Sequence, residues 1–231
     1  MIKPRIFKGL IEFNKLVASD TYQMRIRPQL EDVFDFVPGQ FITITVGPMI
    51  KRSYSIASSP RQNYIDLIAD TKIGGPGSKF FVNAKAGQEV ELLGPLGTFT
   101  CRDITKPTMF WATGTGIVPF LSMVEDLLIN DKREQEIVLN VGFRFWENVV
   151  GYEQLKNLAD KYTNFKYNLY LSRPMADWKG LNGHITDYIA QIADVAQYDH
   201  YLCGAKDMID DVSGQLIARG AAKERVFYEK Y

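Results

Sequence analysis

The stretch TMFWATGTGIVPFLSMVEDLLIND (residues 108–131) reads as three pieces: an apolar strand TMFWAT, a glycine-rich turn, and a helix VPFLSMVEDLLIND. It divides the chain's pattern in two. Upstream lie short β-rich runs, TYQMRIRP (21–28), QFITITV (40–46), KRSYSI (51–56), NYIDLIAD (63–70) and QEVELLG (88–94). Pro38-Gly39, Gly47-Pro48, Gly74–Gly77 and Gly87 punctuate them, and GSKFFVNA (77–84) interrupts them as one short helix. Many short strands at close spacing predict a barrel or sandwich. Downstream, strands EIVLNVGF (136–143), FKYNLYLS (165–172) and HYLCG (200–204) alternate with helical YEQLKNLADKY (152–162), ITDYIAQIADV (185–195) and MIDDVSGQLIARG (208–220), before the final RVFYEKY (225–231). That alternation predicts a parallel sheet with right-handed crossovers. The expected organisation is therefore α+β in two domains, an antiparallel β-barrel over 1–104 followed by an α/β domain over 105–231.

Composition allows this. The chain has 231 residues, 46% hydrophobic and 23% charged, enough to build two cores. Lys and Arg (27) balance Asp and Glu (27), so bulk charge gives no reason to expect nucleic acid or an anionic membrane as partner. The first 104 residues are mildly basic, with 13 Lys/Arg against 10 Asp/Glu. No segment approaches the roughly 20 apolar residues that span a bilayer, and MIKPRIFKGL lacks the apolar run of a secretory signal. Two cysteines, Cys101 and Cys203, support neither a disulfide framework nor a four-thiolate cluster. A cytoplasmic protein without a metal site is expected, with His184 and His200 lacking the partners of a hydrolytic triad.

Two stretches carry chemistry. In KRSYSIASSP (51–60) strand alternation puts Arg52, Tyr54 and Ile56 on one side and Lys51, Ser53, Ser55 and Ala57 on the other, an array too polar for a core. In WATGTGIVPF (111–120) glycines at a strand-to-helix turn let an anion approach free amides and the positive end of a helix. A purely structural tight turn is the alternative there. After the third strand, Ser172 and Arg173 in SRP join a hydroxyl to a guanidinium, which suits a phosphomonoester. Arg144, just past the second strand, could approach the same spot; taken singly each reads as a surface arginine, and taken together they suggest the 2′-phosphate of NADP. Trp111, Trp146 and Trp178 read as structural or substrate-adjacent.

RSYSIASSP (52–60), GGPGSKFF (74–81), LLGPLGTF (92–99), GTGIVPF (114–120), YLCGAKDM (201–208) and YEKY (228–231) occur in an order that resembles the ferredoxin–NADP reductase family, over nearly the whole chain. The resemblance implies FAD in the barrel and NADP(H), or NAD(H), on the α/β domain. Within R-x-Y-S-x-x-S, Arg52 would bind the flavin pyrophosphate, Tyr54 would lie against the isoalloxazine, Ser55 would hydrogen-bond near N5, and Ser58, which completes the motif, would also bind the cofactor. Gly77 and Ser78 would make the second phosphate contact. Thr113, Gly114, Thr115 and Gly116 would cradle the pyrophosphate of the nicotinamide nucleotide, and Cys203 would edge the nicotinamide. Tyr231 would stack on the other flavin face, with Glu229 as a charged partner of Ser55 and Cys203. Ser55, Cys203, Glu229 and Tyr231 would thus carry the hydride step. Two departures stand out: the family's proline after Cys-Gly is Ala205, and no third basic residue for NADP is evident beyond Lys179.

The implied activity is FAD-dependent NADPH oxidation, with single electrons passed to ferredoxin or flavodoxin by a monomer. An NADH-dependent flavin reductase or oxygenase reductase component is the alternative. A non-catalytic electron-transfer or redox-sensing subunit is a third reading, of another class.

Overall fold

The computed structural model describes residues 2–101 and 105–230; the junction at 102–104 and Tyr231 lie outside them. The chain forms two compact units, Met1–Thr100 with Val118–Asp126, and Cys101–Ile117 with Leu127–Tyr231.

In the first unit the elements run β1 (Arg5–Ala18), β2 (Thr21–Pro28), β3 (Phe41–Gly47), β4 (Ile50–Ser55), β5 (Ile65–Asp70), α1 (Pro76–Asn83) and β6 (Glu89–Leu96). The antiparallel sheet has the order β4-β3-β6-β1-β2-β5. Its two edges meet at a bridge between Ile56 and Leu67, so the sheet curls into the expected barrel. β1, the longest strand, pairs with β6 through its first half and with β2 from Gly9 onward. Alternation did not single it out, because polar Glu12, Asn14 and Lys15 break its apolar pattern.

Ile11, Met24, Ile26, Ile42, Ile44, Ile56 and Leu67 fill the barrel, and α1 adds Phe81 to the same core. Each such side chain contributes about 1.5–3 kcal/mol by leaving water. Pro76 opens α1 where its missing N–H costs nothing.

The next elements in chain order are β7 (Thr108–Thr113), α2 (Val118–Glu125), β8 (Ile137–Phe143), α3 (Tyr152–Lys161), β9 (Phe165–Leu171), β10 (Leu181–Asn182), β11 (Asp199–Gly204), α4 (Lys206–Ala218) and β12 (Val226–Lys230). The helix expected over 118–131 is α-helical only as α2, and Asp126–Asn130 wind as a π-helical turn. That extra residue per turn re-aims the apolar face so that Leu127 and Leu128 both bury. α2 belongs to the first unit: Ser122 Oγ donates to the Ser58 carbonyl at 2.7 Å, and the Phe120 ring lies 5.9 Å from Phe99.

The second unit holds a parallel sheet of order β10-β9-β8-β7-β11-β12. From β7 the chain builds outward to β10, then crosses back to lay β11 on the other side of β7. The carboxyl ends of β7 and β11 therefore flank the point where the winding reverses, the usual ligand crevice of such sheets.

The expected helix at 185–195 is instead two 3₁₀ segments, Ile185–Gln191 and Val195–Gln197. Arginines from later in the chain hold their carbonyls. Arg219 donates to Ile189 and Ile192, and Arg225 to Ala196 and Gln197 while also pairing with Asp199 at 2.7 Å. Side chains satisfy the carbonyls that a continuing α-helix would have used.

His200 is wholly buried in this core. Its Nε2–H donates to the Val195 carbonyl at 2.9 Å, and its Nδ1 accepts from Trp111 Nε1–H at 3.3 Å, which assigns a neutral ring. Burial is the main cause that lowers its pKa from 6.5 to about 4. Because the folded state disfavours the protonated ring, this stabilisation is complete above pH 6.5 and is lost as pH falls toward 4. Over that window it amounts to about 3 kcal/mol. Urea unfolding of the wild type should weaken accordingly, and His200→Gln should flatten the slope; parallel slopes would remove His200 from the acid response.

Candidate active site

In the first unit the polar strand β4 and the start of α1 form one cluster. Lys51, Arg52 and Ser53 are exposed, whereas Tyr54 and Ser55 are half-buried. The Tyr54 ring packs edge-on against Phe81, with centroids 4.9 Å apart. Its hydroxyl reaches Gly77: a Cβ there would lie 2.4 Å from Tyr54 Oη and 3.3 Å from Arg52 Cγ. A larger residue there would force the Tyr54 side chain aside. The structure thus brings Arg52, Tyr54 and Gly77 together, with Ser78 next in the helix.

The first turn of α1 has no side-chain cap and no acidic residue, leaving its amides suited to an anion. Burial pushes the Tyr54 phenol up to about 12, against the opposing charge of Arg52, so the ring stays neutral.

Ser58 has a different environment. Its hydroxyl donates to the Tyr64 carbonyl at 3.2 Å and accepts the Asp66 N–H at 3.1 Å. Asp66 in turn pairs with Arg25 through two 2.7 Å bonds. Both hydrogen-bonding directions of Ser58 are used inside the barrel.

In the second unit Thr113 ends β7, and Gly114, Thr115 and Gly116 lie in the 3₁₀ turn Gly114–Ile117 that leads into α2. Gly114 has φ +56°, and the direction of its missing Cβ is open for 4 Å, so a phosphate could approach the backbone there. Gly116 is the opposite case. A Cβ on it would sit 2.1 Å from the Cys203 carbonyl oxygen and 2.8 Å from Gly204 Cα.

Thr113 Oγ1 accepts the Ala205 N–H at 3.2 Å. Cys203 is completely buried, lies near the end of β11, and pairs in register with Glu229 on β12. Burial raises the Glu229 pKa above the usual carboxylate value. The pairing of Cys203 with Glu229 is therefore a strand-to-strand one. Tyr231 is outside the described residues.

Arg144 and Arg173 are brought together by backbone pairing. Beyond the ends of β8 and β9, Ser172 N–H donates to the Phe143 carbonyl at 3.0 Å and Arg173 N–H donates to the Arg144 carbonyl at 2.9 Å. Both arginine side chains are exposed. Beside them Trp146, 44% exposed, lies 5.5 Å from the Trp178 ring and 5.0 Å from Tyr152. Trp146 follows Arg144 by two residues and Trp178 follows Arg173 by five, and the two rings pack together.

Neither Cys101 nor Cys203 is in a disulfide. Among the described residues, no group of three or more His, Cys, Asp or Glu could hold a metal ion, and no helix is long and apolar enough to cross a membrane.

The chain matches two family models, the oxidoreductase FAD-binding domain over residues 9–101 and the oxidoreductase NAD-binding domain over residues 110–214. It is 30% identical to ferredoxin–NADP reductase B of Sorangium cellulosum, covering 86% of each chain. It is 28% identical to the toluate 1,2-dioxygenase electron transfer component of Pseudomonas putida, over 97% of this chain and 67% of that protein. Against the first three curated relatives it matches, the chain spans 67%, 65% and 65% of their length. A cytochrome P450 reductase from Amycolatopsis superposes with a TM-score of 0.89 at 23% identity, over 98% of this chain and 70% of that one, a likeness of fold. The glycine at 77 beneath an arginine and a tyrosine, and the open turn at 114, suit the two dinucleotides these domains bind. The chain belongs to the ferredoxin–NADP reductase family of FAD- and NAD(P)-binding oxidoreductases.

Proposed function

We propose that this chain is an FAD-dependent NADPH oxidoreductase that delivers single electrons to a ferredoxin or flavodoxin. The observation that carries the choice of NADPH is the pair Arg144 and Arg173, held side by side by backbone hydrogen bonding, with Ser172 between Arg173 and β9. Two guanidinium forks and a hydroxyl form the donor set a 2′-phosphate needs. The relative named a ferredoxin–NADP reductase supports the acceptor class.

FAD, when bound, accepts a hydride from reduced nicotinamide and releases the two electrons one at a time. The chain's residues would bind, orient and manage protons. Arg52 and the amides at Gly77 and Ser78 would hold the flavin pyrophosphate. Tyr54 would present a neutral ring, since its phenol stays protonated up to about pH 12. Ser55 would donate its hydroxyl near flavin N5. In the second unit Gly114, Thr115 and Gly116 would receive the nucleotide pyrophosphate, and Cys203 would set the floor on which nicotinamide is oriented. Glu229, with a raised pKa, would retain a proton to higher pH than an exposed carboxylate. Tyr231 would cover the flavin until nicotinamide displaces it. Ser58 would act indirectly, by holding Asp66.

An oxygenase reductase component using NADH is the second reading, favoured by the toluate dioxygenase relative. The test is anaerobic reduction of FAD-loaded protein by NADPH and by NADH, followed by addition of ferredoxin, flavodoxin or free flavin. Preference for NADPH with fast ferredoxin or flavodoxin turnover is expected. Preference for NADH with efficient transfer only to an oxygenase-type partner would replace the first reading by the second.

A further inference from the structure

We propose that Thr113 is a positioning residue, acting through the Ala205 amide to hold the Cys203–Gly204–Ala205 turn against the end of β7. The inference rests on the reading above, in which that turn borders the nicotinamide.

The geometry is a backbone knot between the carboxyl ends of two neighbouring strands. Gly204 has φ +139°, and a Cβ on it would lie 2.5 Å from Thr113 Oγ1, 2.9 Å from Thr113 O and 3.0 Å from Thr113 N. Gly116, in the turn that follows Thr113, meets the Cys203 carbonyl just as closely. The two segments therefore touch through glycine on both sides, and the Thr113 hydroxyl adds one directed bond, from Ala205 N–H at 3.2 Å.

Ala205 is also the N-cap of α4, where no side chain of its own helix caps the turn. Thr113 thus ties down the joint between β11 and α4. A small displacement of that joint moves the Cys203 backbone, and reacting atoms that must meet at about 3–3.5 Å tolerate little displacement. The bond uses a lone pair of the Thr113 hydroxyl and leaves its O–H free to donate.

Ala205 makes the test sharp. Its φ of −58° lies within the range a proline ring adopts, so Ala205→Pro removes the N–H, though the ring Cδ takes the place of that hydrogen and presses Thr113 Oγ1 aside. Four proteins are compared with the wild type: Thr113→Val, Thr113→Ser, Ala205→Pro, and the Thr113→Val/Ala205→Pro double variant. Two readouts are used. One is the limiting rate of flavin reduction and the Kd for NADPH, obtained from rapid mixing. The other is amide hydrogen exchange of the peptide 203–208 in nucleotide-free protein.

Thr113→Val should slow the limiting rate about tenfold, equivalent to about 1.4 kcal/mol, with Kd changed less than about twofold, and should speed exchange of the peptide. Thr113→Ser should restore both. In the Ala205→Pro background Thr113→Val should add nothing, because the donor it served is gone. An equal Thr113→Val effect in the wild-type and Ala205→Pro backgrounds would overturn the inference, as would a raised Kd with unchanged rate, the mark of a direct nucleotide contact. If neither nucleotide reduced the wild type, the functional reading would fail, and with it the kinetic consequence proposed here; the exchange measurement would still decide whether the tie exists.

Discussion

Replacing Arg173 or Arg144 by alanine should lower kcat/KM for NADPH by about 10- to 100-fold, since a hydrogen bond to a charged group contributes about 1.5–3 kcal/mol. NADH should change by less than about twofold, because it has no 2′-phosphate to lose. The reason to expect a joint effect is the ladder beyond β8 and β9: the Arg173 N–H bonded to the Arg144 carbonyl places both residues at one sheet end. If both guanidinium groups hold one phosphate, the double variant should lose less than the product of the single losses. Its NADPH and NADH efficiencies should converge. Steady-state kinetics with both nucleotides on the three variants settles the matter. Losses of equal size for NADPH and NADH would mean that the arginines act on something the two nucleotides share.

Gly116→Ala should be the most damaging single methyl in the second unit. The new Cβ would sit 2.1 Å from the Cys203 carbonyl oxygen and 2.6 Å from its carbon, both backbone atoms that cannot rotate away. Overpacking of this kind costs about 1–3 kcal/mol and occasionally more, and here the strands must part to relieve it. At about 2–4 °C per kcal/mol for a chain of this size, the thermal midpoint should drop by about 5–10 °C. Gly214→Ala is the internal control. Gly214 lies within α4, with nothing inside 4 Å of the added methyl, so alanine should stabilise by about 0.5–1 kcal/mol. Opposite shifts in the two variants are expected; a Gly116→Ala protein as stable as wild type would show that the strands can part at no cost.

The same contrast between local and distant contacts governs what the sequence could and could not disclose. Strand alternation and the switch at Pro107 are local signals, so the barrel, the parallel sheet and most elements were legible. The 3₁₀ segments were not, because their carbonyls are satisfied by Arg219 and Arg225, dozens of residues further along the chain. The π-helical turn after α2 was hidden for a similar reason, since packing and not periodicity decides it.

At the site, Arg52, Tyr54 and Gly77 form one cluster. Three features had no sequence signal. The Ser58 hydroxyl is engaged by β5, Gly116 is required by contact with β11, and the Thr113 hydroxyl accepts from an amide 92 positions away. A glycine that admits a ligand and one that admits another strand look alike in a sequence. Gly114 and Gly116 stand almost side by side and differ in just this way.

The most direct measurement is anaerobic rapid mixing of the FAD-loaded wild-type protein with NADPH and, separately, with NADH, following loss of oxidised-flavin absorbance. Reduction by both is expected, with NADPH favoured at least tenfold in the second-order rate constant, about 1.4 kcal/mol. Protein that takes up no FAD, or flavin that NADH reduces tenfold faster than NADPH, would contradict the proposed function.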